Sequence, residues 1–152
     1  MSTTKQAPAP SGPATTGFGK HLGLHFVSAA ADEVIVEMPV EDHHLQPMGI
    51  VHGGVYCALV ETVCSVGAHL YAQQEGRLVV GVDNSTSFLR ATREGRLRVR
   101  GVPLAQGRKT QLWEARVEDA EGRLVASGRV RLLCLDPGAP LGGAGAGMQR
   151  RD

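Results

Sequence analysis

One carboxylate, Glu61, stands in the middle of the most apolar stretch of the chain, Gln46 to Ala72 (QPMGIVHGGVYCALVETVCSVGAHLYA). A charged group in such surroundings costs free energy unless it is paired, hydrogen-bonded or shifted in pKa. It is either a structural glutamate satisfied at a helix edge or an acid kept for chemistry, as base or nucleophile. Ser65 follows at i+4, and a helix puts both side chains on one face. Cys57 and Cys64 flank that face without an adjacent base. Upstream, His52-Gly53-Gly54 opens the run. The first N–H groups of a helix have no intrahelical acceptor, and with the helix dipole they form a donor site for a developing oxyanion. The plainer role of two glycines is a tight turn and close packing. His52 can cap the helix, ligate a metal or donate to a substrate. No metal is expected, because there is no HExxH and His43-His44 are adjacent in a loop without matching carboxylates. Gln46 can orient a carbonyl or a water, or be an ordinary loop residue.

Spacing limits what these groups can do together. Gly53 and Glu61 are eight residues apart, about 12 Å along a helix. One chain cannot bring both to a single carbon. The antiparallel helix of a second chain can, and a two-fold dimer would then hold two equivalent composite sites.

The elements that must position these groups are legible in the periodicity. Leu59, Val63, Val66 and Leu70 repeat at helical spacing. The other side of this helix is nearly uncharged too, which marks a helix buried on most sides. Glu61 and His69 interrupt it too much for a membrane span. Before it, Phe18 to Leu22 reads as a helical turn, and Leu24 to Ala31 and Glu33 to Val40 as strands joined at Asp32. The second strand alternates Val34, Val36, Met38 and Val40 with its other residues. After the helix the period changes to two. Leu78 to Leu89, Arg96 to Leu104, Thr110 to Glu118 and Arg123 to Leu135 read as strands, with short Gly-bearing links that suit antiparallel hairpins. Leu97, Val99 and Gly101 face one way and Arg96, Arg98 and Arg100 the other, so one sheet face is wet. The class is α+β, a curved antiparallel β-sheet wrapped around one long central helix. One sheet cannot enclose the helix, so a second chain is expected to cover the remainder.

A chain of 152 residues, 42% apolar and 20% charged, makes one domain. It is expected to span 17–136, between a disordered Pro/Ala/Ser/Thr tail at 1–16 and a flexible Gly-rich tail at 137–152. A net charge of +1 gives no reason to expect nucleic-acid binding. Three cysteines without CxxC spacing fit free thiols in a reducing cytoplasm, and the N-terminus lacks the apolar core of a secretory signal. Asp83 to Arg90 (DNSTSFLR) is polar for a core strand. Arg90, Arg93, Arg108 and Lys109 lie at strand ends or turns. They are solvated charges, or a set that holds the phosphates of a large anionic ligand.

HLQPMGIVHGGVYCALVET resembles the helix-start motif of hotdog-fold acyl-CoA thioesterases of the phenylacetate-pathway (PaaI-like) group. It is similar also to the 4-hydroxybenzoyl-CoA and 1,4-dihydroxy-2-naphthoyl-CoA thioesterases. The likeness extends through VVGVDNSTSFLRATREGRLRVRG and GRLVASGRV, roughly residues 22–135. It implies a hotdog fold, homodimers paired into homotetramers, and hydrolysis of an acyl-CoA, aromatic by analogy, with no cofactor beyond the CoA of the substrate. It implies Glu61 as the catalytic acid, Gly53 N–H as the oxyanion donor, Gln46 and His52 as helpers, and Ser65 as the residue orienting water. Ser87 is implied to contact the CoA, and Arg90 after the Ser87-Phe88 pair, with the turn carrying Arg108 and Lys109, to bind its phosphates. That turn often holds Ser or Thr in relatives, so its basic pair is a departure. Rival readings are a hotdog hydratase or dehydratase, and a non-catalytic CoA-ester-binding protein.

Overall fold

The computed structural model describes residues 12–142, so most of the two expected tails lies outside the described residues. Within the expected N-terminal tail, Thr15 donates its hydroxyl to the Leu24 carbonyl at 3.2 Å. The elements are α1 (Gly17–His21), β1 (His25–Ala29), β2 (Val34–Pro39), a 3-10 turn (Asp42–His44), α2 (Gly53–Ala72) followed by a second 3-10 turn, β3 (Leu78–Phe88), β4 (Arg96–Gln106), β5 (Thr110–Glu118) and β6 (Leu124–Leu135). All strands pair antiparallel in one six-stranded sheet of order β1-β2-β4-β5-β6-β3. The hairpins close on local chemistry. Between β5 and β6, Asp119 Oδ1 accepts the N–H groups of Glu121 and Arg123, and Gly122 takes φ 75°, where a side chain would be strained.

The sheet curls around α2. Inward residues of alternating strands (Val36, Met38, Leu97, Val99, Trp113, Val117, Leu132) meet the buried stripe Leu59, Val60, Val63, Cys64, Gly67 and Ala68. The Trp113 ring lies so close to Gly67 that a Cβ there would overlap it. Its Nε1–H donates to Gln111 Oε1 (2.9 Å), and Gln111 Nε2 donates to the Ala68 carbonyl (3.0 Å), so this dry layer is satisfied. On the outer face Arg96 and Arg98 pair with Glu37, and Arg100 with Glu33. Such exposed pairs contribute about 0–1 kcal/mol each.

As expected of a single sheet, α2 is not enclosed all round. The stripe Ala58, Glu61, Thr62, Ser65, Val66, His69 and Leu70 is only half-buried, because the sheet covers one side of α2. Contrary to the expectation drawn from Glu61 and His69, Gly53–Glu75 is long and apolar enough by composition to cross a membrane, and what marks it as a core helix is that half of its apolar window is packed inside the sheet. β3 is an edge strand of 11 residues, paired among the described residues only with β6, and it leaves Val82 and Phe88 exposed.

Candidate active site

α2 begins at Gly53, with His52 as its N-cap in extended conformation. His52 Nδ1 accepts the Gly54 N–H at 2.8 Å, so a neutral His52 carries its proton on Nε2. Of the three roles open to His52, capping is the one seen. The Gly53 N–H meets no protein acceptor among the described residues. The Phe88 ring covers Gly53 so closely that an added Cβ would lie 2.5 Å from Cε2. Gln46 accepts the Met48 N–H through Oε1 at 2.6 Å, which leaves its NH₂ group as a donor. Arg93 donates to the carbonyls of Met48 and Gly49, both at 3.1 Å, and pins that turn. Gln46, Gly53, Tyr56, Phe88 and Arg90 line one cleft of ≈ 330 Å³. At its edge Arg90 donates to the Leu124 carbonyl at 2.6 Å.

Glu61 lies two turns further along the same unbroken helix, about 12 Å from Gly53 by helical rise, and does not line that cleft. Its Oε1 accepts from the Ser65 hydroxyl at 3.3 Å and its Oε2 from Asn84 Nδ2 at 2.9 Å. Asn84 Nδ2 also reaches the Cys57 carbonyl (3.2 Å), and Thr86 donates its hydroxyl to Asn84 Oδ1 (2.7 Å). Among the described residues Glu61 has no ion-pair partner, and no cluster of three metal-ligating side chains exists. Asn84 and Thr86 escape the motif reading. Their one signal in the sequence is the unusual polarity of the stretch from Asp83 onward.

Two other titratable groups nearby are set by burial. Desolvation, with the Glu61 charge second, pushes the Cys64 thiol far above its ordinary range, so it is no nucleophile. His44 sits in the core with Nδ1 accepting the Glu41 N–H (2.9 Å) and Nε2 bonded to the Leu22 carbonyl (3.1 Å). Burial first, and His43 second, hold it below its ordinary pKa of 6.5.

The remaining basic residues are not gathered at one place in the chain. Arg108 and Gly107 line a small recess beside Tyr71 and Ala72, at the far end of α2 from Arg90. Buried Arg77 holds that turn by donating to the Arg108 carbonyl (2.8 Å) and to Asp136 (2.7 Å). Lys109 follows Arg108 in the turn and is exposed. Ser87 pairs with Ser127 between Thr86 and Phe88, on the opposite face of the strand from those two, and does not line the cleft.

The profile of the thioesterase superfamily matches residues 48–126, from the turn before α2 into β6. The protein Rv1847 of Mycobacterium tuberculosis is 40% identical over 135 residues, 85% of this chain and 96% of that one. The chain belongs to the thioesterase superfamily. Its six-stranded antiparallel sheet around one long helix is the hotdog fold, and its enzyme class is thioester hydrolase. The solved structure of Rv1847 superposes on this thioesterase with a TM-score of 0.77, covering 78% of this chain and 96% of that chain. The proofreading thioesterase EntH of Cronobacter turicensis is 36% identical over 111 residues, 73% of this chain and 80% of its own. The 1,4-dihydroxy-2-naphthoyl-CoA hydrolase of Escherichia coli is 35% identical over 114 residues, 75% of this chain and 83% of its own. All the thioesterase site candidates fall inside the superfamily match except Gln46, which lies two residues before it.

Proposed function

We propose that this thioesterase hydrolyses an aromatic acyl-CoA at composite sites, each using Glu61 of one protomer and the Gly53 N–H of another. The observation that carries the reading is the placement, on one unbroken helix, of an acid without an ion-pair partner and an N–H without an acceptor among the described residues, too far apart to serve the same carbonyl. The half-buried stripe of α2 and the free edge of β3 form a surface that a second copy, related by a two-fold axis, would cover. With the two helices antiparallel, the acid of each faces the donor of the other. Two such dimers make the homotetramer.

In this site the thioester oxygen accepts from the Gly53 N–H and from the Gln46 amide. Negative charge collects there as the carbonyl carbon becomes tetrahedral, and loss of one such donor costs about 100- to 1,000-fold in rate. Glu61 either attacks that carbon, giving a mixed anhydride that water then opens, or takes a proton from an attacking water. On both routes the C–S bond breaks and CoA leaves as the thiolate. Oxygen-18 label appearing in Glu61 after a single turnover in labelled water marks the anhydride route.

Tyr56 and Phe88, with ring centroids 5.8 Å apart, wall the cleft and support an aromatic acyl group, as does likeness to the E. coli hydrolase. Arg90 of one protomer, with Arg108 and Lys109 brought in by a neighbour, would bind the CoA phosphates. Three free cysteines fit a cytoplasmic setting.

The test mixes two inactive variants. Gly53→Pro removes the N–H at a first helical position whose backbone accepts proline, with the Phe88 ring of that chain displaced by the new Cβ, and Glu61→Gln removes the acid. Subunit exchange should restore about a quarter of wild-type thiol release, since half the dimers then carry one intact site of two. No recovery after confirmed exchange refutes shared sites. An absorbance change of an enoyl bond without thiol release would instead mark a hydratase, and binding without either a CoA-ester-binding protein.

A further inference from the structure

We propose that Asn84, fixed by Thr86, is a positioning residue that holds one oxygen of Glu61 and leaves the other to react. The inference rests on Glu61 being the reacting acid and adds how that acid is aimed.

The argument begins with a bulge in β3. Gly81 pairs with Leu132, but the register shifts before Asp83, which pairs with Arg131. Asn84 then lies opposite buried Val130, and Thr86 opposite Gly128. Side chains alternate along a strand, so without the extra residue Asp83 and Ser85 would continue the inward row begun by Gly81. The bulge substitutes Asn84 and Thr86. It thereby puts an uncharged donor beside Glu61 where a second carboxylate would otherwise stand.

The amide orientation follows from its neighbours. Asn84 Oδ1 can only accept, so at 2.7 Å the Thr86 hydroxyl must be the donor. The NH₂ end then faces two acceptors, the Cys57 carbonyl at 3.2 Å and Glu61 Oε2 at 2.9 Å. Two glycines leave room for this chain of bonds. A Cβ on Gly128 would overlap the Thr86 hydroxyl, and one on Gly81 would overlap Glu61 Oε1. Oε2 is therefore firmly held, whereas among the described residues Oε1 has only the long 3.3 Å contact with Ser65. The geometry assigns Oε1 as the oxygen that attacks the thioester carbon or takes the proton of water.

Steady-state kinetics of thiol release, on whichever of phenylacetyl-, 4-hydroxybenzoyl-, 1,4-dihydroxy-2-naphthoyl- and hexanoyl-CoA is hydrolysed fastest, tests this. Asn84→Ala should lower kcat by about 10- to 100-fold, the scale of a small misplacement of a reacting group, with KM within about threefold. Thr86→Val should lower kcat in the same sense, and Thr86→Ser should recover most of that loss. In the double variant Asn84→Ala/Thr86→Val, kcat should fall no further than in Asn84→Ala alone, because residues acting through one chain of bonds are not additive. Wild-type kcat in Asn84→Ala, or additive losses in the double variant, overturns the proposal. Should Asn84→Ala fail to fold, the two Thr86 variants decide, and wild-type kcat in Thr86→Val overturns it. A Glu61→Ala control separates the underlying reading, since hydrolysis persisting there refutes Glu61 as the reacting acid.

Discussion

Gly81→Ala adds one methyl group opposite the Glu61 carboxylate, and its two effects should have opposite signs. The new Cβ would stand nearer than 3.0 Å to Oε1 and 3.4 Å from Cδ, and nothing else lies closer than the second carboxylate oxygen at 3.8 Å. The displaced atom is the tip of a flexible side chain, so the fold yields at little cost. Alanine also narrows the unfolded ensemble relative to glycine, which contributes about 0.4–1 kcal/mol of stability where the backbone conformation suits it. The carboxylate oxygen, however, must retreat by about 1 Å, and a misplacement of that size costs on the order of 100-fold in rate. Converted, that is about 2.7 kcal/mol of transition-state stabilisation. The expected variant is as stable as the parent in urea unfolding, about 100-fold lower in kcat for acyl-CoA hydrolysis, and little changed in KM. Wild-type kcat at wild-type stability would refute the argument that the position of Oε1 limits the rate. A loss of several kcal/mol would refute the packing argument.

Further outcomes follow from other contacts. Gly67→Ala should destabilise the fold by about 1–3 kcal/mol through overpacking against Trp113, although alanine is intrinsically the better helix former by about 1 kcal/mol; the midpoint of urea unfolding reports it. Arg90→Ala should raise KM for acyl-CoA by about tenfold or more, the scale of a hydrogen bond to a charged group, and leave KM for the matching N-acetylcysteamine thioester, which lacks phosphates, nearly unchanged. Below pH 6.5 the unfolded chain takes up a proton at His44 that the folded chain resists, because burial lowers the folded pKa. Stability from this group is therefore complete above about pH 6.5 and declines as pH falls towards the lowered value, at no more than about 1.4 kcal/mol per pH unit. Unfolding at pH 7.5 and 5 should show that decline in the parent and less of it in His44→Gln.

Much of the architecture was legible before any coordinates, because alternation of large apolar residues marks both a strand and its facing. Leu97, Val99 and Arg98, Arg100 fix β4, and its start and the span of β5 agree to the residue. Glu61 with Ser65 on one helical face was legible for the same geometric reason, and the pair is hydrogen-bonded. That one sheet leaves part of α2 uncovered is legible too, but which part is not. Val66 and Leu70 are as apolar as Leu59 and Val63, yet they are only half-buried, because an apolar residue on each side of a helix does not say which side the sheet takes. Around Asp83 to Ser87 the side chains are small and polar, with no large residue to mark the inward row. A one-residue bulge there leaves no trace in the pattern, which is why Asn84 and Thr86 went unnoticed and why Ser87 stands on the outward face.

α2 also acts as a measuring rod, with a donor at its head and an acid at mid-length of one uninterrupted helix. If sites are shared as proposed, a solitary protomer owns two half-tools and no whole one. On the shared-site proposal, specific activity vanishes on dilution, and well below the dissociation threshold the rate scales with the square of total protein. Any change that loosens the pairing would register as a catalytic defect even where every reacting atom is intact.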